Sequence, residues 1–169
     1  MSKQFFIKKS KDIKLVATDI DGVWTDAKMH YTEDGEYIKS FSTYDGMATS
    51  LLMNEKIDVA ILTSENSKIV KSRAEKLGIK YVYINEKEKL FRLNYLCNRL
   101  NISMDEVAYI GDDINDLEVL KNVGISAMPC TSPILDKMNP DYITKRQGGD
   151  GAFREFSDLI IKYRKWYYT

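Results

Sequence analysis

The chain has 169 residues, enough for one domain with a sizeable core. Its 25 Lys+Arg balance 25 Asp+Glu, so bulk electrostatics favour neither nucleic acid nor an anionic membrane surface, and an anion must be bound by a local site. Cys97 and Cys130 make no disulfide framework and sit in no metal-ligand spacing. Residues 1–14 hold only the apolar cluster Phe5-Phe6-Ile7, too short for a signal h-region or a membrane span. The expectation is a soluble, cytoplasmic protein.

Short β-branched runs alternate with helical stretches, which predicts an α/β sheet with crossover helices. Residues 13–18 read as the first strand. Residues 28–33 and 36–41 flank Asp34-Gly35, a hairpin signal. A helix over 46–56 leads to a strand at 58–62, and a helix over 67–77 is ended by Gly78. Residues 81–84 form the next strand. Residues 86–100 form an amphipathic helix with Leu90, Leu93, Leu96, Cys97 and Leu100 on one stripe. A strand at 106–110, a helix at 116–123, a strand at 124–128, a short segment at 142–143 and a helix over about 153–163 complete the chain.

Three of these strands run into Asp19, Thr63 and Asp112. In an open parallel sheet, ligands bind beyond the carboxyl ends of the strands, so these residues converge on one expected site. Asp19-Ile20-Asp21-Gly22 puts two carboxylates at one strand end. A carboxylate can attack phosphorus, and a second acid can protonate the departing alkoxide and later activate water. Taken alone, the pattern is equally a turn or a calcium-loop fragment. The second cluster, Gly111-Asp112-Asp113-Ile114-Asn115-Asp116, holds three acids in five residues, which is costly without a cation among them. Its oxygen ligands suit Mg²⁺, and neither cluster has the twelve-residue spacing of an EF-hand. Thr63-Ser64 offers a hydroxyl and N–H groups for phosphate, or merely a helix cap. Lys89 sits in a charged stretch that by itself reads as a solvated helix face. The intervals between these motifs leave no room for a separate lid domain.

In order and context, Asp19-Ile20-Asp21-Gly22-Val23, Thr63, Lys89 and Gly111–Asp116 resemble the four motifs of haloacid-dehalogenase-type phosphatases. The likeness runs over residues 13–159, nearly the whole chain. Within that superfamily the chain resembles the capless, tetrameric branch acting on 3-deoxy-2-ulosonic acid phosphates. That branch is matched by residues 19–26 (DIDGVWTD), the hairpin, Arg73–Gly78 and residues 148–155 (GGDGAFRE). The resemblance implies a Rossmann-like fold: a central parallel sheet flanked by helices, with a hairpin insertion over about 27–42 and no cap domain. It implies Asp19 as nucleophile and Asp21 as general acid/base. Mg²⁺ is then held by Asp19, Asp112 and the Asp21 carbonyl, with Asp113 and Asp116 behind them. Thr63 and Lys89, with N–H groups near Ile20, Asp21 and Ser64, hold the phosphoryl oxygens.

Two substrates fit the branch: octulosonate 8-phosphate, of lipopolysaccharide synthesis, and the sialic-acid-type nonulosonate 9-phosphates. Octulosonate enzymes typically carry Gly-Arg after the second motif, where this chain reads Ser64-Glu65. Glu65 resembles the nonulosonate enzymes and favours that substrate, with Arg73 and Lys76 pairing with the ulosonate carboxylate or forming an ordinary charged helix face. The alternative class is a non-catalytic oligomerisation module of the kind related to acylneuraminate cytidylyltransferases. The resemblance also implies a homotetramer, in which the tail over about 145–169 reaches a neighbour's site. Met29, Tyr31, Ile38 and Phe41 of the hairpin and Trp166-Tyr167-Tyr168 are the expected contact residues. His30 reads as a surface or interface side chain.

Overall fold

The computed structural model of the protein describes residues 2–166. In chain order the elements are α1 (Lys3–Ser10), β1 (Leu15–Thr18), β2 (His30–Thr32), β3 (Gly35–Ile38), α2 (Thr43–Asn54), β4 (Asp58–Leu62) and α3 (Lys68–Lys76). They continue as β5 (Tyr81–Tyr83), α4 (Lys89–Leu100), β6 (Val107–Ile110), α5 (Leu117–Asn122), β7 (Ile125–Met128), β8 (Tyr142–Ile143) and α6 (Ala152–Lys165). Six strands form one sheet in the order β5-β4-β1-β6-β7-β8, with every neighbouring pair parallel. The hairpin of β2 and β3 stands apart from it. Among the described residues it is the one insertion between β1 and α2, and no cap domain is present. No helix among them is long and apolar enough to cross a membrane.

Alternation along the strands divides the core in two. Val16, Val59, Ile61, Ala108 and Ile110 pack with Ala48 and Leu52 of α2, Val70 of α3, and Phe153, Phe156 and Ile160 of α6. Leu15, Ala17, Ala60, Leu62, Val107 and Tyr109 pack with Leu93, Leu96 and Cys97 of α4 and with Val119 and Leu120 of α5. Strands covered on both faces are buried at every position, which is why β6 reads as a continuous apolar run and β1 and β7 depart from one only at Thr18 and Ser126, whose hydroxyls are hydrogen-bonded. Each fully buried large side chain contributes roughly 1.5–3 kcal/mol before entropy is subtracted. Thr18 is level with both Ile61 and Ile110, so Asp19, Thr63 and Asp112 leave the sheet at one edge.

The structure departs from the expected elements in identifiable ways. Helix α1 is absent from the sequence reading because it buries only Phe6 and Ser10 and has no apolar stripe. It is held by tertiary contacts, with Phe6 stacked on Tyr163 at 5.9 Å and edge-on to Tyr142 at 6.0 Å. The hairpin strands are shorter than expected, with Gly35 inside β3 and an irregularity at His30/Tyr31. Helix α2 begins at Thr43 because Ser42 caps it, accepting from the Tyr44 N–H.

The tail's glycine-rich loop packs on its own chain: Gly149 N–H donates to the Val23 carbonyl at 3.0 Å, and Gly148 N–H to Thr131 Oγ1 at 3.2 Å. Phe153, Phe156 and Ile160 then bury α6 in the chain's own core, since that apolar stripe has its partner in cis. Tyr167 and Tyr168 lie outside the described residues.

Candidate active site

Lys89 organises the strand-end edge. It is the first residue of α4, where the helix dipole disfavours a cation, and its side chain is fully buried. Carboxylates compensate both costs: Nζ lies 2.6 Å from Asp19 Oδ2 and 2.7 Å from Asp116 Oδ1. Asp19 follows β1 directly. Its N–H donates to the Ile110 carbonyl at 3.0 Å, and its Oδ1 accepts from Ile20 N–H at 2.7 Å. The Ile20 N–H, expected to face phosphate, is therefore engaged by Asp19 itself.

Asp116 is saturated. Oδ1 accepts from Lys89 and from the Tyr109 hydroxyl at 2.5 Å, while Oδ2 accepts from the N–H groups of Asp112 at 3.0 Å and Asp113 at 3.3 Å. Asp19, Asp112 and Asp116 each offer an oxygen within 4.8 Å of the others. Because Asp116 already has four donors, Asp19 and Asp112 are the pair left to hold a cation. Asp112 is positioned by its carbonyl, which accepts from Ser132 Oγ at 2.5 Å. Asp113 is exposed and caps the turn after β6, accepting from Ile114 N–H at 2.7 Å.

The electrostatics support a cation here. One ammonium serves two buried carboxylates, so negative charge is in excess. Burial, then repulsion from Asp116, pushes the Asp19 carboxyl well above the ordinary range despite Lys89. Burial and the neighbouring Asp116 and Asp113 raise Asp112 to about 7. Burial pulls the Lys89 ammonium down, but Asp19 and Asp116 outweigh it and leave its pKa raised. A divalent cation with oxygen preference between Asp19 and Asp112 relieves that repulsion. Backbone comes close as well: a Cβ on Gly22, at φ +81°, would lie 1.8 Å from Asp112 Oδ2.

Asp21 lies on the cleft wall with Asp19, Thr63, Ser64, Glu65, Asp112, Asp113 and Asn115. Its Oδ1 accepts from Lys39 Nζ at 2.5 Å. Thr63 is buried at the end of β4, where its N–H donates to the Tyr83 carbonyl at 2.9 Å and its hydroxyl accepts from Glu65 N–H at 3.2 Å. Ser64 Oγ accepts from Asn115 Nδ2 at 2.9 Å, tying the loop after β4 to the loop after β6. Glu65 is exposed in the cleft. Arg73 and Lys76 are not brought to it: Arg73 on α3 lies over the Phe41 ring at 5.9 Å and against Gly46, and Lys76 is exposed.

Lys39, Tyr109 and Ser132 touch this constellation although nothing in the sequence reading singled them out. Tyr109 reads as one more core residue of a strand, and Ser132 belongs to a loop without periodicity. Lys39 carried a faint signal in the Glu36/Lys39 spacing, which closes an ion pair of 2.9 Å. His30 is exposed on the hairpin, away from the cleft lining.

The family profile of haloacid dehalogenase-like hydrolases matches residues 34–124. The chain is 39% identical over 155 residues to the 3-deoxy-D-manno-octulosonate 8-phosphate phosphatase of Haemophilus influenzae, covering 92% of this chain and 86% of that one. Its Escherichia coli K12 counterpart is 36% identical, with 92% and 82% covered. The structure superposes with a TM-score of 0.91 on the Moraxella catarrhalis phosphatase of the same name, crystallised with magnesium ion, phosphate ion and a KDO molecule; identity is 34%, covering 96% and 93%. The cobalt-bound Haemophilus influenzae structure gives a TM-score of 0.88 at 39% identity, covering 92% and 91%. With its parallel sheet, its strand-end aspartates and these relatives, the chain belongs to the haloacid dehalogenase-like hydrolases, among phosphatases of that family.

Proposed function

We propose that this chain is a Mg²⁺-dependent phosphatase hydrolysing the phosphate monoester of a 3-deoxy-2-ulosonic acid. Asp19 attacks phosphorus as the bond to the sugar oxygen breaks, and Asp21 gives that oxygen its proton. Asp21 then takes a proton from water, which attacks the acyl phosphate and frees Asp19 and inorganic phosphate. Thr63, Ser64 and the third N–H of Lys89 hold the phosphoryl oxygens. Mg²⁺, held by Asp19, Asp112 and the Asp21 carbonyl, supplies neutralisation of phosphoryl charge. Asp113 and Asp116 support those ligands from behind. The observation that carries this reading is the buried Asp19–Lys89–Asp116 chain beside Asp112.

For the sugar, Glu65 on the cleft wall favours a nonulosonate 9-phosphate, because an exposed carboxylate accepts from sugar hydroxyls and replaces the Arg of octulosonate enzymes. The second reading, 3-deoxy-D-manno-octulosonate 8-phosphate, is favoured by the names of the relatives. The protein acts as one domain in the cytoplasm and assembles as a homotetramer. The exposed Tyr31, Tyr37 and Ile38 of the hairpin support assembly. Arg73 and Lys76 then meet substrate only in a neighbouring copy's cleft. Phosphate release from both sugars, with Mg²⁺ and with EDTA, tests the reading. Metal-dependent release with the higher kcat/KM on the nine-carbon substrate is expected. A preference for the eight-carbon substrate overturns the weight given to Glu65, and no release from any sugar phosphate overturns the enzyme. Light scattering that returns a monomer overturns the tetramer.

A further inference from the structure

We propose that Lys39 is a positioning residue for this reaction: by holding one oxygen of Asp21 it fixes the rotation of the carboxyl that serves the leaving-group oxygen. The inference rests on the phosphatase reading above and adds to it the hairpin's chemical role. Most hairpin residues are exposed, yet the Lys39 side chain has no solvent exposure. Burying an ammonium is costly unless it is paired, and Lys39 is paired twice. Nζ stands 2.5 Å from Asp21 Oδ1 and 2.9 Å from Glu36 Oε1, with Met29 Sδ at 3.4 Å. Glu36 is anchored in turn, since its Oε2 accepts from the hydroxyl of Ser67, the residue that caps α3.

The consequence falls on Asp21. Oδ1 is engaged by Lys39, with Thr25 Oγ1 at a longer 3.4 Å. Oδ2 is buried and makes no hydrogen bond, although the residue lines the cleft. A carboxylate on the wall of an open cleft can rotate between several faces. An ion pair on one oxygen selects one of them, and the second oxygen has no competing hydrogen bond that would turn the carboxyl away. In a fold without a cap domain, the hairpin supplies this constraint. The chain β3–Lys39–Asp21 thus links the hairpin to the loop carrying the nucleophile, and Ser67 links it to α3.

The test compares Lys39→Met with wild type on two substrates in excess Mg²⁺. One is whichever ulosonate phosphate the wild type hydrolyses faster, whose alkoxide needs a proton. The other is p-nitrophenyl phosphate, whose leaving group departs without one. The expected result is a fall in kcat on the sugar phosphate at least about 10-fold greater than on the aryl phosphate, with KM changed by less than about 2-fold. Equal losses on both substrates, no loss on either, or a loss confined to KM overturns the proposal. Should Lys39→Met fail to fold, Glu36→Gln decides, because it removes the anchor that keeps Lys39 over Asp21 while sparing the partly exposed surface around it. A selective loss of about 3-fold on the sugar phosphate supports the proposal, and unchanged selectivity overturns it. Wild-type protein inert towards both substrates is a different result, which overturns the phosphatase reading and this inference together.

Discussion

Lys89 and Asp116 form an ion pair of 2.7 Å in which neither side chain has any solvent exposure. Two such charges are stable in the interior only because Asp19, Tyr109 and two backbone N–H groups complete the network.

Removing one partner from it should therefore be expensive. Lys89→Met leaves the carboxylates of Asp116 and Asp19 buried without their cation, and a loss of about 3–5 kcal/mol is expected from urea denaturation. Adding Asp116→Asn should recover part of that loss, because the stranded charge is then gone. Additive losses in the double variant would contradict this account.

Asp19→Asn separates chemistry from stability. The carboxyl is already disfavoured as an anion by burial and by Asp116, so a neutral amide of equal size should cost less stability than Lys89→Met in metal-free urea denaturation. Turnover should fall by roughly 10⁴-fold or more, as for loss of a nucleophile elsewhere. Phosphate release by this variant near the wild-type rate would remove Asp19 from the reaction.

The raised carboxyls also predict a pH dependence that a divalent ion should reverse. Asp112 titrates at about 7 in the folded chain and Asp19 is raised too, whereas unfolded Asp titrates near about 3.9. Between those values the folded state binds more protons than the unfolded state. Stability is thus greatest at the acid end and is lost as pH rises through the folded value. In EDTA, the melting temperature should drop from about pH 5 to about pH 7. Excess Mg²⁺ binds the ionised carboxylates and should flatten or invert that slope. Asp45, raised to about 6 by burial, adds a slope of the same sign. It is absent from the strand-end cluster, so the difference between EDTA and Mg²⁺ reports the cluster. Identical slopes in both buffers would rule against a metal between Asp19 and Asp112.

Gly148 lies far from the aspartates in sequence, yet a Cβ there would stand 1.9 Å from the Gly22 carbonyl. Gly148→Ala must push the loop carrying Asp21 and Gly22. A destabilisation of about 1–3 kcal/mol is expected, with a loss of kcat larger than the melting temperature alone would suggest. Full activity in a correctly folded Gly148→Ala enzyme would show that the tail loop does not support the nucleophile loop.

Periodicity and punctuation make most of the sheet legible in the sequence. Strands buried on both faces are largely apolar, so β1, β4, β6 and β7 announced themselves, and the carboxyl ends of β1, β4 and β6 named Asp19, Thr63 and Asp112. Helix α1 did not, because a short helix with one buried aromatic carries no periodic stripe, and its stability comes from Phe6 against Tyr142 and Tyr163. The tail was legible as glycine-rich, whereas its contacts with Val23 and Thr131 on its own chain appear only in the fold.

The same division runs through the site. Residue type and spacing marked the carboxylates, since an acid following an apolar strand is costly unless it has work to do. Pairing over long stretches of chain, as of Lys89 with Asp19 or Lys39 with Asp21, leaves no local pattern, and neither does the crossing of Tyr109 to Asp116. Only the folded geometry, by bringing charges into a low-dielectric interior where each must find a partner, selected which lysines face inward and which carboxylates remain free for a metal ion and a proton.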